Sequence, residues 1–460
     1  MSGINSILNI GGDALFASQT ELDTTAHNIA NANTQGYTRQ TVLTSAATPI
    51  QTTYGFLGSG VQVDGIQGVR DAFVNEQVMN LNSDLSQANT NQQTLASVGG
   101  IFNETSTSTS GLTSQLTAFF SALQTLSQTP EDSGVRQNVL QAGINVATTF
   151  NSLSNQLQDT KYQVSQQISA DVGKVNALAA TIASINKQLM ANAGTPRNSS
   201  DLQDQMNNAV SQLSSLMNVK VVTDPTGIIN VTAGGAVLVA GANAFTFKMT
   251  QTSSGITVGR SDSSVAATVS SGELAGLLNS FNIQIPGYAA QLDNIAATFA
   301  KTINAFNSTG YTLSTNGNPP KTGMNFFQGT TAGTIQVAQD IISNLNNIAA
   351  SSSGDPGNGD NAAAMADVLN APVMSNGQSI VNAYEALVNQ VGTDSQNTDN
   401  TVQTLQVQQN QLQAFQSSIS GVSLNQELTN MIQYQHSFEA AAKVITTADT
   451  MYSTVIGMVQ

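Results

Sequence analysis

The sequence has no cysteine, no tryptophan, nine prolines in 460 residues and a charged fraction of only 9%, against roughly a quarter in an ordinary soluble domain. The missing cysteine rules out a disulfide framework, a thiolate zinc site and a cysteine nucleophile. Two histidines, His27 and His436, leave little for metal or acid–base chemistry. Basic residues are scarce: 13 Lys and Arg stand against 28 Asp and Glu, for a net charge of −15, and the first lysine is Lys161. Phosphate grooves and anionic lipid surfaces both need clustered Lys and Arg, so neither nucleic acid nor a membrane is an expected partner. No run of about 18 apolar residues is present to span a bilayer. The opening MSGINSILNIGGDALF lacks the basic and apolar blocks of a cleavable signal peptide. Uncharged polar side chains, including 46 asparagines, must cover the surface instead.

The strongest pattern is heptad spacing at both ends. Leu8, Leu15, Leu22 and Ile29 share one face of a helix expected over about residues 4–33, beside a column of mostly small residues, Ile4, Gly11, Ser18 and Thr25. Gly36 is the stop signal. At the other end Leu424, Met431, Phe438, Ile445, Tyr452 and Val459 form an apolar column, with Leu428, Gln435, Ala442, Asp449 and Ile456 as the adjacent mixed one. Ser423 and Gln426 read as a capping box opening that rod. Each terminal helix carries a narrow apolar stripe that the other can cover, large residues of one against small residues of the other. The two chain ends are therefore expected to pair.

Long helical patterns fill most of the interior, over about residues 71–103, 112–126, 130–196, 202–216, 289–306 and 378–420. In the longest, Asp171 interrupts a column otherwise made of Phe150, Leu157, Val164, Leu178 and Ile185. Short β-type pieces between Gly, Asp-Pro and Asn breaks occupy about 218–270. The expected fold is mainly α, with paired N- and C-terminal coiled-coil helices, a long-helix bundle and a small inserted β-domain. The expected units are 1–70 with 421–460, 71–217 with 271–308 and 361–420, the insertion 218–270, and a loop-rich connection over 309–360.

Candidate chemistry is thin. Neither histidine has zinc-ligand spacing around it, and no H-E-x-x-H or G-x-S-x-G is present. Glu131–Asp132 after Pro130 suits the positive end of a helix better than catalysis. DPGNGDN at 355–361 lacks the ligand alternation of a calcium loop and reads as a turn, and TAGGAVLVAG at 232–241 reads as a β-hairpin. No cofactor, metal or catalytic residue is expected. The most distinctive run is His27 to Tyr37, in which Asn28, Asn31 and Asn33 end a helix and can bond orphan carbonyls or neighbouring subunits.

Asn28-Ile29-Ala30-Asn31-Ala32-Asn33-Thr34-Gln35-Gly36-Tyr37-Thr38-Arg39-Gln40 resembles the signature after the first helix of bacterial flagellar axial proteins of the rod, hook and hook-associated class. Gly58 to Val63 with Arg70-Asp71-Ala72-Phe73, and Val422 to Ile445, are similar to two further shared segments. The long helices after residue 71 resemble the hook–filament junction members of the class, since hook proteins place β-domains there. The resemblance implies a non-enzymatic assembly protein, secreted unfolded through the flagellar type III apparatus and built into the flagellum outside the cell. It also implies contacts with copies of itself, the hook protein and a second, filament-side hook-associated protein, and an export chaperone on the C-terminal helix. The expected assembly residues are Leu8, Leu15, Leu22, Ile29, Asn28, Asn31, Asn33, Leu424, Leu428, Met431, Phe438, Ile445 and Tyr452. The chaperone would take Leu424, Met431, Phe438, Ile445 and Tyr452. A hook or distal-rod subunit, or a secreted adhesin using its β-insertion, stays open as an alternative.

Overall fold

The structure, a computed structural model, describes residues 2–34, 36–52, 55–102, 111–192, 200–224, 227–314 and 319–459. Gln35 of the signature and Pro196 lie outside them. The chain opens with α1 (Ser2–Asn31) and then forms two short antiparallel pairs. These are β1 (Gln40–Ala46) with β4 (Val61–Gly68), and β2 (Ile50–Thr52) with β3 (Gly55–Leu57). Their alternation is weak and broken by a bulge near Leu43 and Thr44, so periodicity in the sequence does not reveal them.

The helical body follows: α2 (Ala72–Phe102), α3 (Leu112–Gln128), α4 (Ser133–Asn192) and α5 (Ser200–Leu216). Asp132 starts α4 by accepting from the amides of Gly134 and Val135, at 2.7 and 3.0 Å, an N-cap that satisfies two orphan donors. With 60 residues, α4 is about 90 Å long. The inserted strands are β5 (Val219–Thr223), β6 (Ile229–Ala233), β7 (Ala236–Ala240) and β8 (Asn243–Ala244), which form one antiparallel sheet in that order. The hairpin of β9 (Phe247–Thr252) and β10 (Gly255–Arg260) lies beside it. The turn from β6 to β7 uses Gly234 and Gly235 at φ of +56° and +82°, a combination that favours glycine.

The chain re-enters the bundle through α6 (Glu273–Asn279), a π-turn (Ser280–Gln284) and α7 (Ile285–Thr309). Pro286, in the first turn of α7, has no N–H to give the preceding turn, which accounts for the widened helix there. A short pair, β11 (Phe327–Gln328) and β12 (Gln336–Val337), and two small helices, α8 (Gln339–Ser343) and α9 (Asp360–Asp367), lead to α10 (Ile380–Ser420) and α11 (Leu424–Val459).

One contiguous hydrophobic core runs through α2 to α10, from Leu95 to Val391, and no described residue of α1 or α11 belongs to it. The inserted strands share this core through Ile229, Val231, Leu238, Phe247 and Val258 rather than closing a separate one. The loop-rich stretch after residue 309 is equally part of it. Phe326 and Phe327 are buried and meet Phe119 and Phe299, with ring centroids 5.0–5.8 Å apart in edge and tilted arrangements, the geometry aromatic quadrupoles prefer.

Asparagine side chains hold the irregular segments onto the helices. Asn151 on α4 donates to the carbonyls of Ala332 and Ile335. Asn304 on α7 accepts from the amides of Phe326 and Phe327 and donates to the Phe327 carbonyl. Asn176, Asn186 and Asn282 do the same for the inserted strands. A neutral amide satisfies buried backbone groups without the desolvation cost of an ion. Much of the asparagine content therefore serves the chain's own interior.

Candidate assembly interface and its junction

The terminal helices α1 and α11 pack antiparallel: Asn28 lies beside Glu427, and Gly11 beside Val444 and Ile445. The innermost positions on α1 are Gly11, Ala17, Ser18, Thr24, Thr25 and Asn28, and on α11 Glu427, Ala441 and Ala448. The seam is thus small and polar. Thr24 satisfies its own hydroxyl by donating to the Thr20 carbonyl at 2.8 Å.

Leu8, Leu15, Leu22 and Ile29 flank that seam, half-buried, and Met431, Phe438, Ile445 and Tyr452 do the same on α11. The second column on α11 differs from the sequence expectation: Glu427, Tyr434, Ala441 and Ala448 turn towards α1 in place of Leu428, Gln435, Ala442, Asp449 and Ile456. The inward positions step by three and four residues from Glu427 onwards, as a helical seam requires. Leu428 is 46% exposed on the outer side, and Leu424, the first residue of α11, is 47% exposed. Asn33 is also exposed, while Asn31 donates to the His27 carbonyl at 3.1 Å and so closes the last turn of α1.

A second apolar set on the terminal helices is left largely uncovered within the single chain. Ile7 and Phe16 on α1, and Ile432, Val444, Met451, Val455, Ile456 and Met458 on α11, are exposed. Val444, Met451, Val455 and Met458 follow helical spacing in a row that starts at the edge of the α1 seam, where Val444 borders Gly11, and runs outward from it.

Where the terminal pair meets the bundle, the Asn-rich signature forms a buried polar node. Asn28 donates to the Gln40 carbonyl at 2.9 Å and to Glu427 Oε2 at 3.0 Å, and its Oδ1 accepts from the Gln40 amide and the Tyr37 hydroxyl. Gly36, at φ +79°, turns the chain so that Tyr37 folds back onto α1. Burial and the nearby Asp201, Asp204 and Glu427 push the Tyr37 hydroxyl well above its ordinary pKa, so it stays protonated and donates. The His27 ring meets Tyr37 edge-on at 5.5 Å. His436 is exposed and sits 3.7 Å from Glu439.

The node continues into the start of α5. Asp204 accepts from the Thr38 hydroxyl and amide and from Arg70, which also donates to the Ser200 carbonyl and to Gln203. Gln40 donates to Asp201 at 2.7 Å, and the Arg39 amide to the Ser420 carbonyl at the end of α10. Asp201, Asp204 and Glu427 complete this junction, and nothing in the sequence pattern singles them out. A usable signal existed in Arg70, which with Arg39 and Arg136 supplies all the basic charge before Lys161. Chemically the arrangement is a lattice of donors and acceptors. Among the described residues no group of three or more His, Cys, Asp or Glu side chains could hold a metal.

Residues 95–327 match the family model described as the flagellar hook-associated protein FlgK helical domain. The ends match two others: residues 8–38 the flagella basal body rod protein, and 414–458 the C-terminal region of the flagellar basal body rod FlgEFG proteins. Flagellar hook-associated protein 1 of Bacillus subtilis is 31% identical, over 96% of both chains. The chain belongs to the flagellar hook-associated protein 1 family. The Salmonella typhimurium member is 26% identical over 99% of this chain and 100% of its own. A solved structure, the flagellar hook junction protein FlgK from Burkholderia pseudomallei, shares the fold, with a TM-score of 0.63 and 18% identity over 75% of this chain and all of that one. Membership makes the protein a structural, hook-associated component of the bacterial flagellum, at the hook–filament junction.

Proposed function

We propose that the α1/α11 pair is the polymerising element and that the node at Asn28 fixes its direction relative to the bundle. The carrying observation is the uncovered apolar face, from Ile7 and Phe16 to Met451 and Met458, on a pair that contributes nothing to the main core. Covering one large apolar side chain is worth about 1.5–3 kcal/mol, so several per subunit drive association when neighbours arrive. Contacts that do not close on themselves generate a tube, with copies of the chain laterally, hook protein on one side and the filament-side hook-associated protein on the other. In this reading residues 1–70 with 421–460 are the inner assembly unit. Residues 71–217 with 271–308 and 361–420 are the outer bundle, 218–270 an inserted β-unit, and 309–360 the connection that fills the bundle.

The expected assembly residues divide between two tasks. Leu8, Leu15, Leu22, Ile29, Met431, Phe438, Ile445 and Tyr452 hold the pair together and complete the inner wall, while Leu424 and Leu428 face neighbours directly. Asn28 and Asn31 work inside the chain, and exposed Asn33 is free to meet a partner. The protein acts by binding, without catalysis.

Export through the type III apparatus before extracellular assembly suits a chain with no disulfide to break. An export chaperone would take α11 as a helix in a groove, along Leu424, Met431, Phe438, Ile445 and Tyr452. Four of these are half-covered by α1, so chaperone and α1 compete for one stripe. Replacing Phe438 and Ile445 by Ser should weaken chaperone binding in calorimetry, and equal affinity would count against the assignment.

The test of the main reading is deletion of residues 424–460. The bundle, whose core owes nothing to α11, should keep its helical circular dichroism and cooperative melting while filament growth is lost. Filaments that grow on the truncated protein would overturn it.

A further inference from the structure

Asp171, the residue that breaks the apolar column of α4, is fully buried. Its Oδ1 accepts from Lys174 at 2.7 Å and from Gln167 at 3.1 Å, and its Oδ2 has no donor. The other hydrogen of the Gln167 amide reaches Glu273 Oε1 at 3.3 Å, so one side-chain amide bridges two carboxyl groups. Glu273 is the first residue of α6, where the chain returns from the inserted strands. That return is fastened to α2 as well: the Gly272 amide donates to the Ser83 carbonyl at 3.0 Å, and the Ser271 and Ser83 hydroxyls bond at 2.7 Å.

Asp171 is fully buried and Glu273 half-buried, and two carboxylates drawn onto one amide repel each other at a substantial electrostatic cost unless one keeps its proton. The shared Gln167 amide brings the Glu273 carboxyl group up to that of Asp171, and the charged groups acting on Glu273 are Asp171 and Lys174 from α4. From α2 the contact at this point is the neutral Ser83. A protonated Glu273 would give the orphaned Asp171 Oδ2 the donor it lacks.

The geometry points to a proton shared between Glu273 and Asp171, a carboxyl clasp that holds the returning chain onto α4 and opens as pH rises. On opening, the proton passes to water or buffer and two carboxylates are left facing each other, with Lys174 compensating only one. Burial first, then Asp171, raise the pKa of Glu273 above its ordinary value. The stabilisation is therefore complete below the ordinary glutamate range and is lost as pH rises through the raised value.

Two measurements on the full chain, both in EDTA so that no divalent cation substitutes for the proton, test the clasp. With 13Cδ-labelled glutamate, the resonance missing from Glu273→Gln identifies residue 273, and its titration midpoint should lie above the ordinary value of about 4.3. Asp171→Asn should lower that midpoint, whereas burial alone would leave it in place. The second measurement is thermal unfolding between pH 5 and 8. The amide of Glu273→Gln donates at every pH, so its advantage over wild type should grow by about 2 °C across the range. A wild-type midpoint at or below the ordinary value, a midpoint indifferent to Asp171→Asn, or parallel melting curves for wild type and Glu273→Gln would overturn the proposal.

Discussion

Ile445 of α11 lies so closely over Gly11 of α1 that a Cβ on residue 11 would stand 2.9 Å from Ile445 Cγ1. A mid-helix glycine ordinarily costs about 1 kcal/mol relative to alanine, and here it makes room for a large side chain on the opposing helix. This contact, with the Asn28–Glu427 bond near the other end of α1, fixes the register of two helices whose remaining seam is small and polar.

The first prediction separates those two effects. In the native background Gly11→Ala gains helix propensity but overpacks against Ile445, at a cost of about 1–3 kcal/mol, so it should destabilise the pair. In an Ile445→Ala background the same change should stabilise it. Amide exchange along α1 in the four proteins of the cycle reads the coupling, and additive effects would mean that Gly11 and Ile445 do not compete for space.

At the node, Asn28→Ala should be severe. It strips the buried Glu427 carboxylate of its Asn28 donor and leaves the Gln40 amide and carbonyl unsatisfied, a loss of about 3 kcal/mol at the junction. Glu427→Gln keeps an acceptor for Asn28 and should be far milder. Proteolytic nicking between α1 and β1 reports the difference, with rapid cleavage expected in Asn28→Ala alone.

The terminal rods and α4 were legible because their heptads run for many turns, and Asp132, Gly36 and the Gly234–Gly235 turn carry local signals that need no tertiary context. The seam on α11 lies one position away from the second heptad column of the sequence. A heptad column shows which residues share a face, but the inward side is decided by the close approach at Gly11 and by the polar bond of Glu427. Phe326, Ile335 and Ile348 read as part of a connection in the sequence because they sit in irregular backbone with no period. Their burial depends on Asn151, Asn304 and Asn307, which satisfy that backbone from distant helices. The junction residues Asp201 and Asp204 were invisible for a similar reason, since their partners Gln40, Thr38 and Arg70 are more than 130 positions away.

Arg136 shows the same non-local logic in the bundle. It is 1% exposed and donates to the carbonyls of Pro130, Leu345 and Ile348, while burial lowers its pKa to about 10. It therefore remains charged at neutral pH, held by backbone oxygens. Arg136→Met leaves those carbonyls without their donor and should cost about 3 kcal/mol or more. Arg136→Lys should recover part of this, because an ammonium cannot reproduce the guanidinium fork. Denaturant unfolding of the bundle checks the order wild type, Lys, Met.

The outer face of α11 gives the sharpest separation between folding and assembly. Ile432 and Met451 are 56% and 50% exposed in the single chain, so lysine at either position removes little native contact and should change stability by no more than about 0.5 kcal/mol. Between neighbouring subunits the same lysine would be buried without a partner, a penalty of several kcal/mol per contact. Ile432→Lys and Met451→Lys should therefore melt like wild type, with α1 still protected from amide exchange, yet fail to support filament growth in complemented cells. Phe438→Lys should behave differently: its ring is half-covered by α1 within the same chain, so pairing of the terminal helices and assembly should fall together. If the first two variants instead assemble normally, the uncovered face of α11 is not where neighbouring subunits dock.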